Sequence, residues 1–172
     1  MKLAFINNGR GQNILGFDDA MLIYKNFEGR GDRYNRDRYN REGERNFGVR
    51  IFDEEMFEAL KNDVNKYGVG WNVKSKPPRN EGDDPFMFLP VKVKFTARGP
   101  KVVLITGDRR NELDEESIAC LDNIDMERVD LDVRPYDDEV NGKPFRTAYL
   151  DKIYVTQKVD RFVERYDMRG DE

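Results

Sequence analysis

Arginine and tyrosine side chains are concentrated in residues 24–50, YKNFEGRGDRYNRDRYNREGERNFGVR. This segment holds eight basic and five acidic residues, a local excess of positive charge in a chain whose net charge is −4. Guanidinium groups pair with phosphates and stack on flat rings, and tyrosine provides such rings. The mixture is typical of a surface for a flexible polyanion with exposed bases, although a solvated loop whose charges pair among themselves would have the same composition.

Two further segments combine lysines with an alternating apolar pattern. Residues 71–76 and 86–95 both alternate between apolar and basic side chains, as half-buried strands do. If the two strands are neighbours, one sheet face carries a ladder of four lysines, Lys74, Lys76, Lys92 and Lys94. Like charges set close together cost stability, so this ladder needs either solvent or a bound anion.

The candidate nucleic-acid-binding residues are the cations and rings of these segments: Arg30, Arg33, Tyr34, Arg36, Arg38, Tyr39, Arg41, Arg45, Arg50, Trp71, Lys74, Lys76, Lys92 and Lys94. In this hypothesis the cations follow a phosphate backbone, while Tyr34, Tyr39 and Trp71 stack on bases. The alternative for Trp71 is the core, where a lone tryptophan in an alternating strand is usually found.

Most side-chain chemistry of enzymes is excluded by composition. The chain has no histidine and a single cysteine, Cys120, so an internal disulfide, a Cys/His zinc site and a histidine-assisted nucleophile are all absent. Carboxylates cluster at residues 83–84, 114–116 and 137–139, where a loop, a helix start and a hairpin turn explain them better than a Mg²⁺ site. We therefore predict no metal, no cofactor and no enzymatic activity, with a Mg²⁺-dependent nuclease as a competing hypothesis.

Composition and length predict one folded domain. Of the 172 residues, 12% are aromatic, which is too many for a disordered chain, although 37% are charged. No apolar run approaches the roughly 20 residues that cross a bilayer, and the N-terminus turns polar too early for a signal peptide, so the protein is expected in the cytoplasm. Positive charge dominates residues 1–106 and negative charge residues 107–172.

Strand patterns dominate the secondary-structure prediction. Helices are predicted over residues 53–67 and 114–121, with a further helical turn over 160–166. Strands are predicted over residues 2–6, 20–27, 47–51, 71–76, 86–95, 101–106, 129–134 and 147–156. The chain is thus mainly β with two short helices, and a five-stranded barrel like the oligonucleotide-binding (OB) fold, with extensions, fits best; a two-layer α+β sandwich is the alternative. The domain is expected to span residues 1–166, followed by a short acidic, frayed end at 167–172.

Several sequence blocks between residues 26 and 166 resemble one known family. They are YNREGERNFGVRIF (39–52), GWNVK (70–74), FLPVKVKF (88–95), PKVVLI (100–105), LDEESI (113–118), VDLDVRPYDDEVNGK (129–143) and TAYLDKIYVTQ (147–157). Together they are similar to a group of small phage and prophage proteins that bind single-stranded DNA and have the OB fold.

This resemblance implies a sequence-tolerant single-stranded-DNA-binding protein that supports phage DNA replication or recombination in the cytoplasm of a bacterial host. Single-stranded DNA is the expected partner, replication proteins are further candidates, and RNA binding and self-association stay open. The alternative is a protein-interaction module, such as a phage factor that binds a host protein through its acidic C-terminal part. In a single-stranded-DNA-binding protein the acidic end, with Asp167, Asp171 and Glu172, could mimic nucleic acid or recruit a replication partner.

Overall fold

The computed structural model describes residues 1–31 and 41–159, so the predicted helical turn over 160–166 and the acidic end lie outside the described residues. Strands account for most of the regular structure, as predicted. They are β1 (Lys2–Asn7), β2 (Asn13–Asp18), β3 (Leu22–Asn26), β4 (Arg45–Ile51), β5 (Lys74–Lys76), β6 (Phe86–Val93), β7 (Lys101–Thr106), β8 (Arg109–Leu113), β9 (Met126–Val140) and β10 (Lys143–Gln157). One α-helix, α1 (Glu54–Asn62), and a short 3₁₀ helix (Ile118–Asp122) complete the described elements.

The ten strands belong to one sheet rather than to a five-stranded barrel. The main path runs β1-β2-β9-β10-β6-β4-β3, and within the described residues its two ends do not join. Strand β5 pairs with β6, and β7 lies between β10 and β8. The chain is therefore mainly β, as predicted, but closure into a five-stranded OB barrel is not confirmed.

The long hairpin of β9 and β10 organises this sheet. On one side β10 pairs with β9 in antiparallel register over almost its whole length. Its other side pairs in parallel first with β6, at Tyr149 opposite Lys92, and then with β7, from Lys152 to Thr156. A register shift between Leu150 and Lys152 allows one strand to serve both neighbours, because a bulge bends and twists the strand that carries it.

Side chains along each strand alternate between a face that is buried in the core and the opposite face, which we call the outer face. The core side of the central strands carries residues that are almost fully buried: Val49, Leu89, Val91, Val133, Ala148 and Leu150. Leu60 of α1, together with Ile118 and Leu121 of the 3₁₀ helix, adds to the same core. Residues one position away in each strand therefore lie on the outer face.

Helix α1 ends at Asn62, five residues before the predicted end. Its beginning agrees with the prediction, since the Asp53 carboxylate accepts a hydrogen bond from the Met56 amide at 2.7 Å. At its C-terminal end the chain folds back, and the Trp71 amide donates to the Leu60 carbonyl at 3.1 Å. Gly70 makes this return possible, because a Cβ at that position would overlap the Lys61 carbonyl.

A buried ion pair holds the β9–β10 hairpin against the end of α1. The guanidinium of Arg146 donates two hydrogen bonds to the Asp137 carboxylate, at 2.7 and 3.1 Å, and a third to the Asp63 carbonyl at 2.6 Å. Burial alone would raise the pKa of Asp137, but the hydrogen bonds that this carboxylate accepts, with that of Arg146 the strongest, hold the pKa below its ordinary value. Arg146 thus joins the β9–β10 hairpin to Asp63 at the end of α1, which lies 83 residues earlier in the sequence.

None of the helices among the described residues has the length and apolar character that crossing a membrane requires.

Candidate nucleic-acid interface

Three aromatic rings from β3 and β6 meet on the outer face. The ring centroid of Tyr24 lies 5.4 Å from that of Phe88 and 6.3 Å from that of Phe86, both in edge-to-face geometry. Phe86 and Phe88 are themselves 6.1 Å apart. The ring of Tyr24 is accessible to solvent, because this residue is 57% exposed. A flat ring that faces solvent beside other rings is a platform on which a base can stack.

Two cations complete this group of rings. The Nζ atom of Lys76 lies 5.0 Å from the Tyr24 ring centroid and 5.7 Å from that of Phe88. The guanidinium of Arg50 lies between two other rings, 4.9 Å from Phe86 and 5.0 Å from Phe52, which is 54% exposed. We call these six residues the face cluster: Tyr24, Arg50, Phe52, Lys76, Phe86 and Phe88.

Backbone geometry explains why the rings converge. Tyr24 has a φ of +52°, which non-glycine residues adopt uncommonly, and the register of β3 against β4 shifts between Ile23 and Asn26. The resulting bulge re-aims the tyrosine ring toward β6. Between the two strands lies Gly48, where a Cβ would come within 2.9 Å of Ile23 and 3.2 Å of Phe88. The missing side chain leaves the space in which the Phe88 ring lies.

The predicted ladder of four lysines is wrong in its register. Strands β5 and β6 are neighbours, as the hypothesis required, but Lys74 lies opposite Phe88 and Lys76 opposite Phe86. Lys92 is four residues further along β6, and Lys94 follows the end of that strand. Lys74 and Lys76 therefore lie opposite phenylalanines rather than lysines, which avoids like-charge repulsion across the two strands, and Lys76 contacts two rings.

The structure places the predicted arginines unevenly. Arg50 belongs to the face cluster. Arg30 and Arg41 are exposed and lie in the connection between β3 and β4, and Arg30 forms an ion pair with Glu28 at 2.8 Å. Arg45 is largely buried, and its guanidinium donates hydrogen bonds to the Phe27 carbonyl and to Glu115. Arg45 thus has a structural role in this fold. The remaining candidates of this segment, Arg33, Tyr34, Arg36, Arg38 and Tyr39, lie outside the described residues.

Trp71 lies in the core and not on a binding surface. It is 3% exposed, its Nε1 donates to the Asp63 carboxylate at 2.9 Å, and the Arg146 guanidinium lies 4.9 Å from its ring. Each face of the ring is covered by protein, so the stacking hypothesis for this residue is wrong and its core alternative is correct.

Local hydrogen bonds hold residues 26–30, where the chain leaves β3. The Asn26 side chain accepts from the Arg30 amide at 2.9 Å and donates to the Arg30 carbonyl at the same distance. Asp122 accepts from the amides of Phe27 and Glu28 at 2.8 and 2.9 Å. Asn26 pairs with Asn46, and Asn46 lies opposite Lys92, so the connection between β3 and β4 leaves and rejoins the sheet near the Lys92 end of the outer face.

The sequence prediction missed four members of the face cluster: Tyr24, Phe52, Phe86 and Phe88. A signal for two of them was present, since Phe86 and Phe88 lie at the i and i+2 positions that share one face of a strand, with Met87 and Leu89 on the other. No local pattern indicated Tyr24 or Phe52, because their positions depend on a bulge and on the chain between β4 and α1.

Two of the three carboxylate groups singled out from the sequence, at residues 114–116 and 137–139, contain side chains with structural partners. Asp137 is bound by Arg146, and the Asp114 carboxylate accepts hydrogen bonds from the Ser117 amide and hydroxyl, both at 2.9 Å. These hydrogen bonds to Ser117 lower the pKa of Asp114. Across residues 1–31 and 41–159, no three Asp, Glu or Cys side chains are grouped so that they could hold a metal ion.

Comparison with known proteins gives a consistent family. The model of a family described as "Putative phage ssDNA-binding domain" matches residues 8–169. Among solved structures, the chain is similar to the single-stranded DNA-binding protein from bacteriophage Enc34 in complex with ssDNA, at 13% identity, a TM-score of 0.49, and coverage of 92% of this chain and 97% of that one. A C-terminal truncation of that phage protein matches at 11% identity, a TM-score of 0.50, and coverage of 92% and 95%; at this identity it speaks for the fold alone. No curated protein matches the chain. Because the family model spans nearly the whole sequence, this chain belongs to the phage single-stranded-DNA-binding domain family.

Proposed function

We propose that this protein binds single-stranded DNA across its outer face, with bases stacked on the face cluster and phosphates held by Arg50, Lys74, Lys76 and Lys92. The observation that carries the proposal is the exposed ring of Tyr24, which has Lys76 at 5.0 Å and two phenylalanines beside it. With a base on that ring and a phosphate at the neighbouring ammonium group, the protein would contact both the base and the phosphate of one nucleotide.

The chemistry of the face cluster favours single strands and tolerance of sequence. Its members are rings and cations, which contact the flat faces of bases and the phosphates rather than the hydrogen-bonding edges that distinguish one base from another. In a duplex the base faces are already stacked on each other, so the rings would have nothing to bind. Family membership points to the same ligand.

The biological setting is a further part of the proposal. We infer a protein without catalytic activity that works in the cytoplasm of a bacterial host and supports phage DNA replication or recombination. Its single domain would extend over residues 1–166 as an elaborated relative of the OB fold. The arginines and tyrosines of the segment 24–50 would contact the same strand of DNA. Replication proteins are the proposed protein partners.

The first test is the dependence of binding on salt. If the four outer-face cations each neutralise a phosphate, log K should fall with log salt at a slope of about −3, because each phosphate on a single strand contributes about −0.7. Fluorescence anisotropy with a labelled oligonucleotide, titrated at several salt concentrations, measures this slope. A duplex of equal length should bind more weakly at every salt concentration. Affinity that ignores salt, or that is equal for the duplex, would contradict the proposal.

The second test removes charge from the outer face. Changing Lys74, Lys76 and Lys92 to glutamine should weaken binding and reduce the magnitude of the salt slope by about 2, since three phosphate contacts are lost. The matched control changes the exposed Lys61, Lys66 and Lys158, which lie in α1, after α1 and after β10 and so outside the strands of the outer face, and it should leave the slope nearly unchanged. If both triple variants behave alike, only the overall charge of the protein matters and the outer face is not the interface.

A further inference from the structure

A second group of rings lies on the outer face of the β9–β10 hairpin. The ring centroid of Tyr136 lies 6.1 Å from that of Tyr149 and 6.3 Å from that of Phe145, across the hairpin. Opposite Tyr149 in the register is Arg134, whose guanidinium lies 5.2 Å from the Tyr149 ring centroid. We call these four residues the hairpin cluster: Arg134, Tyr136, Phe145 and Tyr149.

The hairpin cluster repeats the chemistry of the face cluster at a different place. It too combines an exposed tyrosine, Tyr136 at 46% exposure, with further rings and one cation held against a ring face. Its contacts stabilise the hairpin as cross-strand pairs do, but they leave nearly half of the Tyr136 surface in water. The core does not use these rings, because Val133, Ala148 and Leu150 fill it from the other side of the same strands.

Lys92 connects the two clusters. It lies four residues beyond Phe88 along β6, a distance of about 13 Å, and directly opposite Tyr149 on the neighbouring strand, about 5 Å away. A cation thus lies between two groups of stacking rings on one continuous sheet face. A flexible polyanion that reached both clusters would pass it.

Acidic residues limit where a phosphate can lie near the hairpin cluster. On one side of Arg134 along the outer face of β9 come Asp132, 3.7 Å from Lys152, and Asp130, paired with Arg128. On the other side, Asp138 accepts a hydrogen bond from the Tyr136 hydroxyl at 3.0 Å. A phosphate is therefore repelled beyond both ends and attracted at Arg134, while the Tyr136 ring can still accept an uncharged base.

We propose that the hairpin cluster is a second stacking subsite for the same strand of DNA, with one base on Tyr136 and a phosphate at Arg134. The strand runs from the face cluster over Lys92 to the hairpin, so the bound length is set by the distance between the two groups of rings. This inference rests on the function proposed above.

The test uses the full chain with two labelled oligothymidylates, of about 3 and about 12 nucleotides, the longer of which lies within the range of site sizes of single OB folds. The shorter one is too short to follow the path from Phe88 over Lys92 to the hairpin cluster, about 13 Å along β6 and about 5 Å across to β10, whereas the longer one reaches both clusters. Changing Tyr136 to leucine should lower affinity for the longer oligonucleotide by between about fivefold and about a hundredfold, the equivalent of one lost stacking contact, and change affinity for the shorter one by less than about twofold.

A second variant keeps all the rings. Arg134→Gln should also weaken binding of the longer oligonucleotide alone, and it should reduce the magnitude of its salt slope by about 0.7. Its control is Arg128→Gln, a change of the same charge on the same strand, where the arginine is already paired with Asp130. Unchanged affinity of both variants for the longer oligonucleotide would overturn the second subsite. If the wild-type protein bound neither oligonucleotide, the proposed function itself would be overturned.

Discussion

Changing Arg146 to methionine is expected to lower the free energy of unfolding by about 3–5 kcal/mol, the usual cost of removing one partner from a buried ion pair. Both side chains of this pair are nearly inaccessible, at 2% exposure for Arg146 and 5% for Asp137. Methionine keeps much of the apolar volume but leaves the Asp137 carboxylate buried without the two charge-assisted hydrogen bonds from Arg146. Urea unfolding of the two proteins at neutral pH measures the difference.

The loss should depend on pH in a defined direction. In the wild-type protein the pKa of Asp137 is held below its ordinary value, so its stabilising contribution is present above about pH 4 and is lost as the pH falls through the lowered pKa. In the variant, burial remains without the arginine and raises the pKa, so protonation relieves the buried charge. The stability difference should therefore be largest at neutral pH and become smaller as the pH falls, first through the raised pKa of the variant and then through the lowered pKa of the wild type.

Arg128→Met is the matched control, because Arg128 pairs with Asp130 on the exposed surface of the same hairpin. Its effect on stability should be much smaller, since water and salt screen exposed pairs. An equal loss in both variants, or a difference between wild type and the Arg146 variant that does not change with pH, would mean that the buried pair does not determine the stability of the hairpin.

Changing Tyr24 and Phe88 together to leucine should weaken single-stranded DNA binding by about 2–6 kcal/mol, because stacking contributes about 1–3 kcal/mol per base and two rings are removed. Leucine retains apolar contacts on the outer face, so the melting temperature should change far less than the affinity. No charge is removed, and the salt slope should stay near its wild-type value. Anisotropy titrations at several salt concentrations measure both quantities.

Tyr67→Leu provides the control for this double variant. Tyr67 is also exposed and also has an ammonium group beside its ring, that of Lys66 at 5.0 Å, but it lies after α1 and away from the outer face. Its replacement should leave DNA binding unchanged. If the double variant binds as tightly as wild type, the face cluster is not where bases stack; if Tyr67→Leu is equally weak, the loss is not specific to this face.

The strands that the sequence predicted well are those whose two faces meet different environments. Buried and more exposed side chains alternate in β4 around Val49 and in β6 around Leu89, because one face of each strand lies in the core and the other is the outer face. Strands β2 and β8 were missed for different reasons. Gly16 interrupts the apolar pattern of β2, and β8 is a polar strand that pairs with β7 through backbone hydrogen bonds, which do not depend on side-chain type.

The candidate site was predicted in its chemistry more than in its geometry. Arg50, Lys74, Lys76 and Lys92 do lie on one face, but their neighbours depend on the register between strands that are far apart in sequence, which side-chain alternation alone does not determine. The position of Tyr24 depends on a bulge. The burial of Trp71 depends on the return of the chain from α1, for which its own strand pattern carries no signal.

The path of the sheet has a consequence for the order of events during synthesis. Within the described residues, β1 pairs with β2 alone, and β2 reaches the rest of the sheet through β9, which is made only after most of the chain. Leu15 and Phe17 of β2 are buried in the folded protein. During synthesis these side chains therefore stay exposed to solvent until the β9–β10 hairpin has emerged from the ribosome. Pairing between strands that are far apart in the sequence is slow, because the entropy of closing the long intervening loop is lost before the pairing contacts form. Strands β1 and β2, although they are synthesised before β9, are therefore expected to be among the last to pair with the rest of the described sheet.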